Sequence, residues 1–399
     1  MHPRPALPLV IVSLLLSGSA ALSAQPKLPG VGAAMDSHIA QNEFAGSVTV
    51  VATKDKILHL EANGLADVAT KKPMPADAIF WIASMTKPVT GVAILMLQDQ
   101  GKLHVSDPVA KYIPEFANLK TPSGQPANLT ITQILTHVSG LGEAPQDAAR
   151  DARTLSDLVA IYLAQPMQYE PGALWRYNQA GINTAGRIVE VVSGLPFEDY
   201  LAKNLFEPLG MKDTTFYPMG AQLERMPTPY RKDDATGELV AVPQRRGFGS
   251  RDFPPLANGG LCSTATDYAR FAQMLLNGGS LNGKKFLSAE TLKFLNTPQT
   301  PADMPTGFFQ NERWGNRGKN YGWGIGTCVL KEPHEGVAEV LSPGSYGHGG
   351  AWGTQAWIDP VKGVAYIMLV ARANHPNSDA SDFRRDFQKA AASALQKRM

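Results

Sequence analysis

Cysteine is scarce in this chain: two residues, Cys262 and Cys328, among 399. That excludes a disulfide-stapled scaffold, and spacing alone leaves open whether the two bridge each other. Cys-x-x-Cys and His-Glu-x-x-His are both missing and the eight histidines are scattered, so a zinc centre has no ligand set. No metal or other cofactor is expected. A Gly-x-Ser-x-Gly elbow is also missing, which sets aside the ordinary α/β-hydrolase triad. Neither sign of charge is in excess: 37 Lys and Arg against 35 Asp and Glu leave a formal +2, without a basic run. Nucleic acid is therefore not an expected partner. Repeats and low-complexity tracts are absent, and long apolar runs are confined to the N-terminus. There, Met1-His2-Pro3-Arg4 leads into an apolar stretch over 7–16 and then small residues up to Ala24, the layout of a secretory signal peptide. The stretch is shorter than the ~20 residues of a bilayer span. We expect a signal peptide over 1–24, cleavage after Ala24, a periplasmic or secreted product and no stable membrane span in it.

What is present is a globular composition, 44% hydrophobic and evenly spread. Two β-prone runs, 46–53 and 57–62, flank Lys54-Asp55-Lys56 and predict a hairpin. Apolar residues from Val89 to Leu97 and the stop at Gly101 predict a buried helix over 88–100, with Ser84 at or just before its first turn. From about 102 to 300 the pattern is mostly helical, with helices expected over 156–163, 181–192, 197–205 and 266–276. Thr130 with Gln133, and Thr264 with Asp267, carry capping-box signals. Strand patterns return over 321–329, 337–341, 355–358 and 364–370, followed by an amphipathic helix over 378–396 with Phe383 and Phe387 on one face. Strands at both ends with helices between suggest one sheet closed by the two chain ends. The organisation expected for 25–399 is an α/β part, about 40–100 and 300–399, and a mostly helical part, about 101–299.

The chemistry starts from Phe80-Trp81-Ile82-Ala83-Ser84-Met85-Thr86-Lys87. A serine hydroxyl is a weak nucleophile until a base removes its proton, and a desolvated lysine one helical turn later can be that base. Tyr177, delivered by the turn Glu170-Pro171-Gly172 just before a helix, is a second candidate acid/base; beside a lysine ammonium its phenol can be held as phenolate and exchange protons with Ser84. Tyr346-Gly347-His348-Gly349-Gly350-Ala351-Trp352 is a Gly-rich segment of the kind that lets backbone N–H groups approach a substrate carbonyl.

These segments, together with Asp107-Pro108-Val109, Leu135-Thr136-His137-Val138-Ser139-Gly140-Leu141, Tyr177-Asn178-Gln179 and Gly259-Gly260-Leu261, run in an order that resembles the serine β-lactamase-related family. That family takes in class C β-lactamases, DD-peptidases and family VIII carboxylesterases. The resemblance implies the α/β penicillin-recognising fold: a mixed antiparallel sheet flanked by helices, plus a mostly helical domain, with the active site between them. It implies Ser84 as acylated nucleophile, Lys87 as proton acceptor, Tyr177 as second acid/base, and the N–H groups of Ser84 and Ala351 as oxyanion hole, with Gly349 and Gly350 shaping the approach. His137 is expected to hold a loop. Two departures bear on substrate. Gln179 stands where lactamases and peptidases carry an asparagine that holds the substrate amide, and His348 stands where they carry a lysine that holds the substrate carboxylate. A histidine of ordinary pKa is largely neutral at pH 7. The expectation is a serine hydrolase cleaving small carboxylic esters, the alternative a β-lactamase or D-amino-acid peptidase/amidase, and the partner a small-molecule ester or amide.

Overall fold

The computed structural model describes residues 25–245, 247–306, 310–311, 315–316, 318–376 and 378–397. The expected signal peptide lies outside them. The predicted hairpin forms from β1 (Gly46–Thr53) and β2 (Ile57–Asp67), with β3 (Lys72–Pro73) along its edge. The chain rejoins this sheet with β4 (Tyr321–Trp323), β5 (Cys328–Leu330), β6 (Tyr346–Gly349), β7 (Gln355–Asp359) and β8 (Val364–Val370). The spatial order is β4-β5-β6-β7-β8-β1-β2-β3, and every pairing is antiparallel. The chain ends meet where β8 pairs with β1, from Ser47 opposite Val370 to Thr53 opposite Val364.

Helices cover both faces, which is why the central strands read as nearly continuous hydrophobic runs. On one face Val51, Tyr366, Met368 and Val370 pack with Val31 and Met35 of α1 (Val31–Ala40), as do Phe383 and Phe387 of the C-terminal helix. On the other, Val48, Val50, Ala365, Ile367 and Leu369 share a core with α2 (Thr86–Asp99), α3 (Ala180–Ser193) and α4 (Ala265–Leu276). The C-terminal helix, α5, spans Asp382–Gln396. In α2 every residue from Thr86 to Leu97 is buried, so the helix has no polar stripe; its one charged side chain in that stretch, Lys87, has no solvent exposure.

Several sequence expectations are corrected. The run over 321–329 is two strands, because Gly324-Ile325-Gly326 turns between them; Gly326 has φ +74° and a Cβ there would stand 2.5 Å from the Lys87 carbonyl oxygen. That turn clamps α2 from the sheet side. The run over 337–341 forms turns, and its apolar residues Val337, Ala338 and Leu341 are buried as core without being a strand. The helix over 197–205 passes into a π-helical turn, Ala202–Phe206, just before Pro208, whose missing N–H cannot continue an α-helical ladder. Thr130 and Gln133 make the full capping box, whereas Thr264 caps through Asp267 N (3.1 Å) while the Asp267 carboxylate turns to Asp213 N (2.7 Å). Cys262 and Cys328 are buried free thiols. Among the described residues no helix is long and apolar enough to cross a membrane.

Candidate active site

Ser84 lies in a 3-10 turn, Ala83–Met85, between a short strand, Phe80–Trp81, and the first residue of α2. The Thr86 hydroxyl donates to Ala83 O (2.7 Å) and accepts from Leu261 N (3.1 Å), which pins this turn to the segment that follows Gly260. One turn on, Lys87 Nζ is 3.0 Å from Ser84 Oγ, 3.0 Å from Gln179 Oε1 and 2.7 Å from Asn258 O. Burial pulls the Lys87 ammonium down to about 7, against the opposing pull of the Glu143 and Asp379 carboxylates. The hydrogen-bond inventory then orients the neutral amine. Gln179 Oε1 and Asn258 O only accept, so they take its two N–H bonds and leave its lone pair facing the Ser84 hydroxyl. Asn258 Nδ2 also donates to Gln179 Oε1 (2.7 Å), which fixes the Gln179 amide with its oxygen inward.

Tyr177 closes the other side of Ser84. Its hydroxyl oxygen is a second acceptor for the single Ser84 proton, which points either to it or to the Lys87 lone pair; the hydroxyl stands 3.3 Å from His348 Nε2, and the ring lies under Lys87 Nζ at 4.6 Å. Burial pushes the phenol well above its ordinary pKa, and a lysine drawn down towards neutrality offers no fixed charge to offset this, so a phenolate is favoured here only while Lys87 is an ammonium. His348 is fully buried, and burial, with Lys87 adding to it, takes its imidazole down to about 3. Its Nδ1 is 2.6 Å from Gly349 O, which can only accept, so Nδ1 carries the proton and Nε2 accepts from Tyr177. His348 thus sits against Tyr177. His137, with φ +64°, is buried behind Tyr177 at 4.6 Å between ring centroids; its Nδ1 accepts from Asn178 N (3.1 Å) and its carbonyl from Arg176 N (2.9 Å). It holds the loop that carries the tyrosine.

The Gly-rich segment leaves β6 and turns at Gly350, where Gly350 N donates to Thr354 O (2.7 Å) and Gly353 N to Gly350 O (2.9 Å). Thr354 Oγ1 donates to Ile82 O (3.2 Å), tying this turn to the one that carries Ser84. Both glycines are required by space. A Cβ at Gly349 would overlap the Asp379 carboxylate, which accepts the Gly349 N–H, and a Cβ at Gly350 would stand 2.5 Å from Ile82 O. Among the described residues, neither Ser84 N nor Ala351 N donates to a protein acceptor. Trp352, next to Ala351, packs edge-to-face on Trp81 at 4.7 Å, and Arg245 stands 5.3 Å over the Trp81 ring.

Ser84, Lys87, Tyr177, Gln179 and His348 are therefore in one connected network, with Gly349, Gly350 and Ala351 tied to it through Ile82. Sequence reasoning missed Asn258 and Glu143. Asn258 adjoins the quoted Gly259-Gly260 segment, a signal that was available; Glu143 follows the quoted Gly140-Leu141 and is an acidic loop residue with no spacing rule to mark it. No group of three or more His, Cys, Asp or Glu among the described residues is arranged to hold a metal ion.

A family model described as Beta-lactamase matches residues 31–391. The chain belongs to the beta-lactamase family. Protein Rv1367c of Mycobacterium tuberculosis strain ATCC 25618 / H37Rv is 31% identical over 367 residues, covering 85% of this chain and 88% of that protein. Esterase EstB of Burkholderia gladioli is 27% identical over 371 residues, covering 86% and 89%. A protein of Escherichia coli strain K12, named only provisionally as a D-alanyl-D-alanine carboxypeptidase, is 28% identical over 379 residues, covering 87% and 83%. Among solved structures, EstCE1, described as a hydrolase with promiscuous acyltransferase activity, superposes with a TM-score of 0.75 at 22% identity, over 91% of this chain and 97% of that one. That likeness shows the shared fold, the penicillin-recognising one expected above. This beta-lactamase-family chain is a serine hydrolase.

Proposed function

We propose that this hydrolase is an exported carboxylesterase that works through an acyl-Ser84 intermediate. The observation that carries the substrate class is His348: where the lactamase and peptidase pattern sets a lysine for the substrate carboxylate, this chain has a buried neutral imidazole committed to Tyr177. The name of the Burkholderia gladioli relative supports the same direction.

The chemistry balances over two half-reactions. Neutral Lys87 takes the Ser84 proton as Oγ attacks the ester carbonyl, and the N–H groups of Ser84 and Ala351 hold the developing oxyanion. As the tetrahedral intermediate collapses, Tyr177 gives its proton to the leaving alkoxide, so the phenolate forms beside the new Lys87 ammonium, where its charge is offset. In deacylation the phenolate takes a proton from water, the hydroxide attacks the acyl carbon, and Lys87 returns its proton to Ser84. Gln179 and Asn258 keep the Lys87 lone pair aimed at Ser84, and the half-buried Trp81 and Trp352 offer an apolar wall to the ester.

The test is a panel on one purified sample: p-nitrophenyl acetate and butyrate, longer acyl esters, and nitrocefin, each with Ser84→Ala as control. Ester turnover that exceeds nitrocefin turnover and vanishes in Ser84→Ala supports the reading; full ester turnover by Ser84→Ala sinks it. Nitrocefin turnover rivalling the esters moves the assignment to a lactamase or D-amino-acid peptidase, the direction in which the Escherichia coli relative's name points. Export is checked by N-terminal sequencing of the mature protein, which on this reading begins at Gln25.

A further inference from the structure

Glu143 has no part in the chemistry above, yet it is wired to it. It follows the Gly140-Leu141 loop, and its Oε1 accepts the Gln179 N–H at 2.5 Å; the Ala180 N–H also donates to this carboxylate. Those are unpaired donors at the start of α3, where a helix leaves its first N–H groups without internal partners and where a negative charge is favoured. The same Gln179 presents its side-chain oxygen to Lys87 Nζ at 3.0 Å. One carboxylate therefore anchors the backbone of the residue whose side chain orients Lys87.

We propose that Glu143 is a positioning residue of this hydrolase: it fixes the start of α3, keeps the Gln179 amide oxygen on Lys87, and sets a negative charge opposite the ammonium that Lys87 becomes when Ser84 is acylated. The proposal rests on Lys87 accepting the Ser84 proton. The groups facing Lys87 divide by charge. From the helix side, Tyr177 is a neutral phenol, and His137 on its loop and His348 on β6 are neutral imidazoles. The two carboxylates acting on it are Glu143 and, from the segment ahead of α5, Asp379, whose burial lifts its carboxyl to about 6. Asp379 is occupied with the Gly349 N–H and the Gln355 amide at 3.3 Å behind the sheet. Glu143 is an exposed loop residue whose carboxylate is turned in against the start of α3: that burial raises its own pKa, opposed by the Gln179 and Ala180 N–H groups, Lys87 and Arg176, and its charge can be changed without opening the core.

The sign follows from electrostatics. A carboxylate near Lys87 favours the ammonium; removing it makes the free amine, the reactive form, available at lower pH. Glu143→Gln keeps an amide oxygen to accept from Gln179 and loses only the charge, whereas Glu143→Ala loses both. Two rates are measured from about pH 5 to about pH 9.5, a range that brackets the acid limb. One is the second-order labelling of Ser84 by a fluorophosphonate probe, the other kcat/KM for p-nitrophenyl butyrate. In Glu143→Gln the acid limb of both shifts down by about half a pH unit or more, with the plateau lowered no more than about threefold. In Glu143→Ala the limb shifts likewise and the plateau falls about tenfold, because Gln179 is released. An unmoved limb in Glu143→Gln overturns the proposal, and so does loss of labelling at every pH in a variant that melts like the wild type. A shifted limb in labelling, with no ester turnover by the wild type, upholds Glu143 and sinks the esterase reading instead.

Discussion

Consider Gly350→Ala, a single added methyl. In the present backbone its Cβ would stand 2.5 Å from Ile82 O and overlap Thr354 Oγ1. Neither neighbour yields freely. Ile82 O already accepts from Met85 N (3.0 Å) inside the Ser84 turn, and Thr354 Oγ1 is the link between the two turns. Relieving the overlap to an ordinary contact moves the Gly350-Ala351 turn away from Ser84 by roughly 1 Å or more, beyond the ~0.5 Å tolerance of a preorganised site. Loss of one oxyanion donor costs about 10²–10³ in rate, or about 2.7–4 kcal/mol of transition-state stabilisation. We therefore expect kcat for p-nitrophenyl butyrate to fall about 10²-fold with KM changed by less than about threefold, since the lost interaction exists mainly in the transition state. Overpacking should lower stability by about 1–3 kcal/mol, visible as a thermal shift of a few degrees. A variant that folds, keeps its melting temperature within a degree or so of the wild type and retains full kcat would refute the placement of the Ala351 N–H in the oxyanion hole.

Other expectations follow from the same geometry. With Lys87 drawn down to about 7 and reactive as the free amine, kcat/KM should rise with pH through about 7 and be lost as pH falls below it; a rate independent of pH across that range contradicts the role. His348→Phe removes the acceptor of the Tyr177 hydroxyl and should lower kcat by about tenfold or more while leaving the fold intact, measured on the same ester. Gly91→Ala sets a methyl against Ile325 O, where the β4–β5 turn clamps α2, and should destabilise the protein by about 1–3 kcal/mol in denaturant melts. His59 is buried and neutral, accepting from Leu28 N at 3.0 Å, and burial takes its imidazole down to about 4 from 6.5. A lowered folded-state value means stability present above about 6.5 and lost as pH falls towards 4, so the melting temperature should drop across that window and drop less in His59→Gln.

The residues that the structure brings together around Ser84 were legible in sequence because their spacing and order are set by backbone geometry. Ser84 and Lys87 share a helical face at three residues' separation, and the Gly-rich segment announces a close approach that only glycine permits at 349 and 350. The same is true of the sheet's central strands, whose composition reflects cover on both faces. What was not legible depends on three-dimensional neighbours. Nothing in the chain marks Glu143 as the acceptor for Gln179 N, or the Asn258 carbonyl as a partner of Lys87, since each is a single residue brought in from a distant loop. Hydrophobicity reported burial rather than conformation at 337–341, and the turn at 324–326 was hidden inside a β-prone run. The protonation of Tyr177 was not legible for a related reason: proximity to a lysine was visible, but not the burial that raises the phenol and draws the lysine down.

The central claim is that Ser84 carries the acyl group of a carboxylic ester. Rapid acid quenching of the wild-type protein during turnover of p-nitrophenyl butyrate, followed by peptide mass spectrometry, tests it directly. The account predicts a butyryl adduct on the peptide containing Ser84, more abundant in Tyr177→Phe, where weakly basic p-nitrophenolate still leaves without a proton while deacylation is slowed, and absent in Ser84→Ala. An adduct on another residue, or undiminished turnover by Ser84→Ala with no adduct, would contradict it.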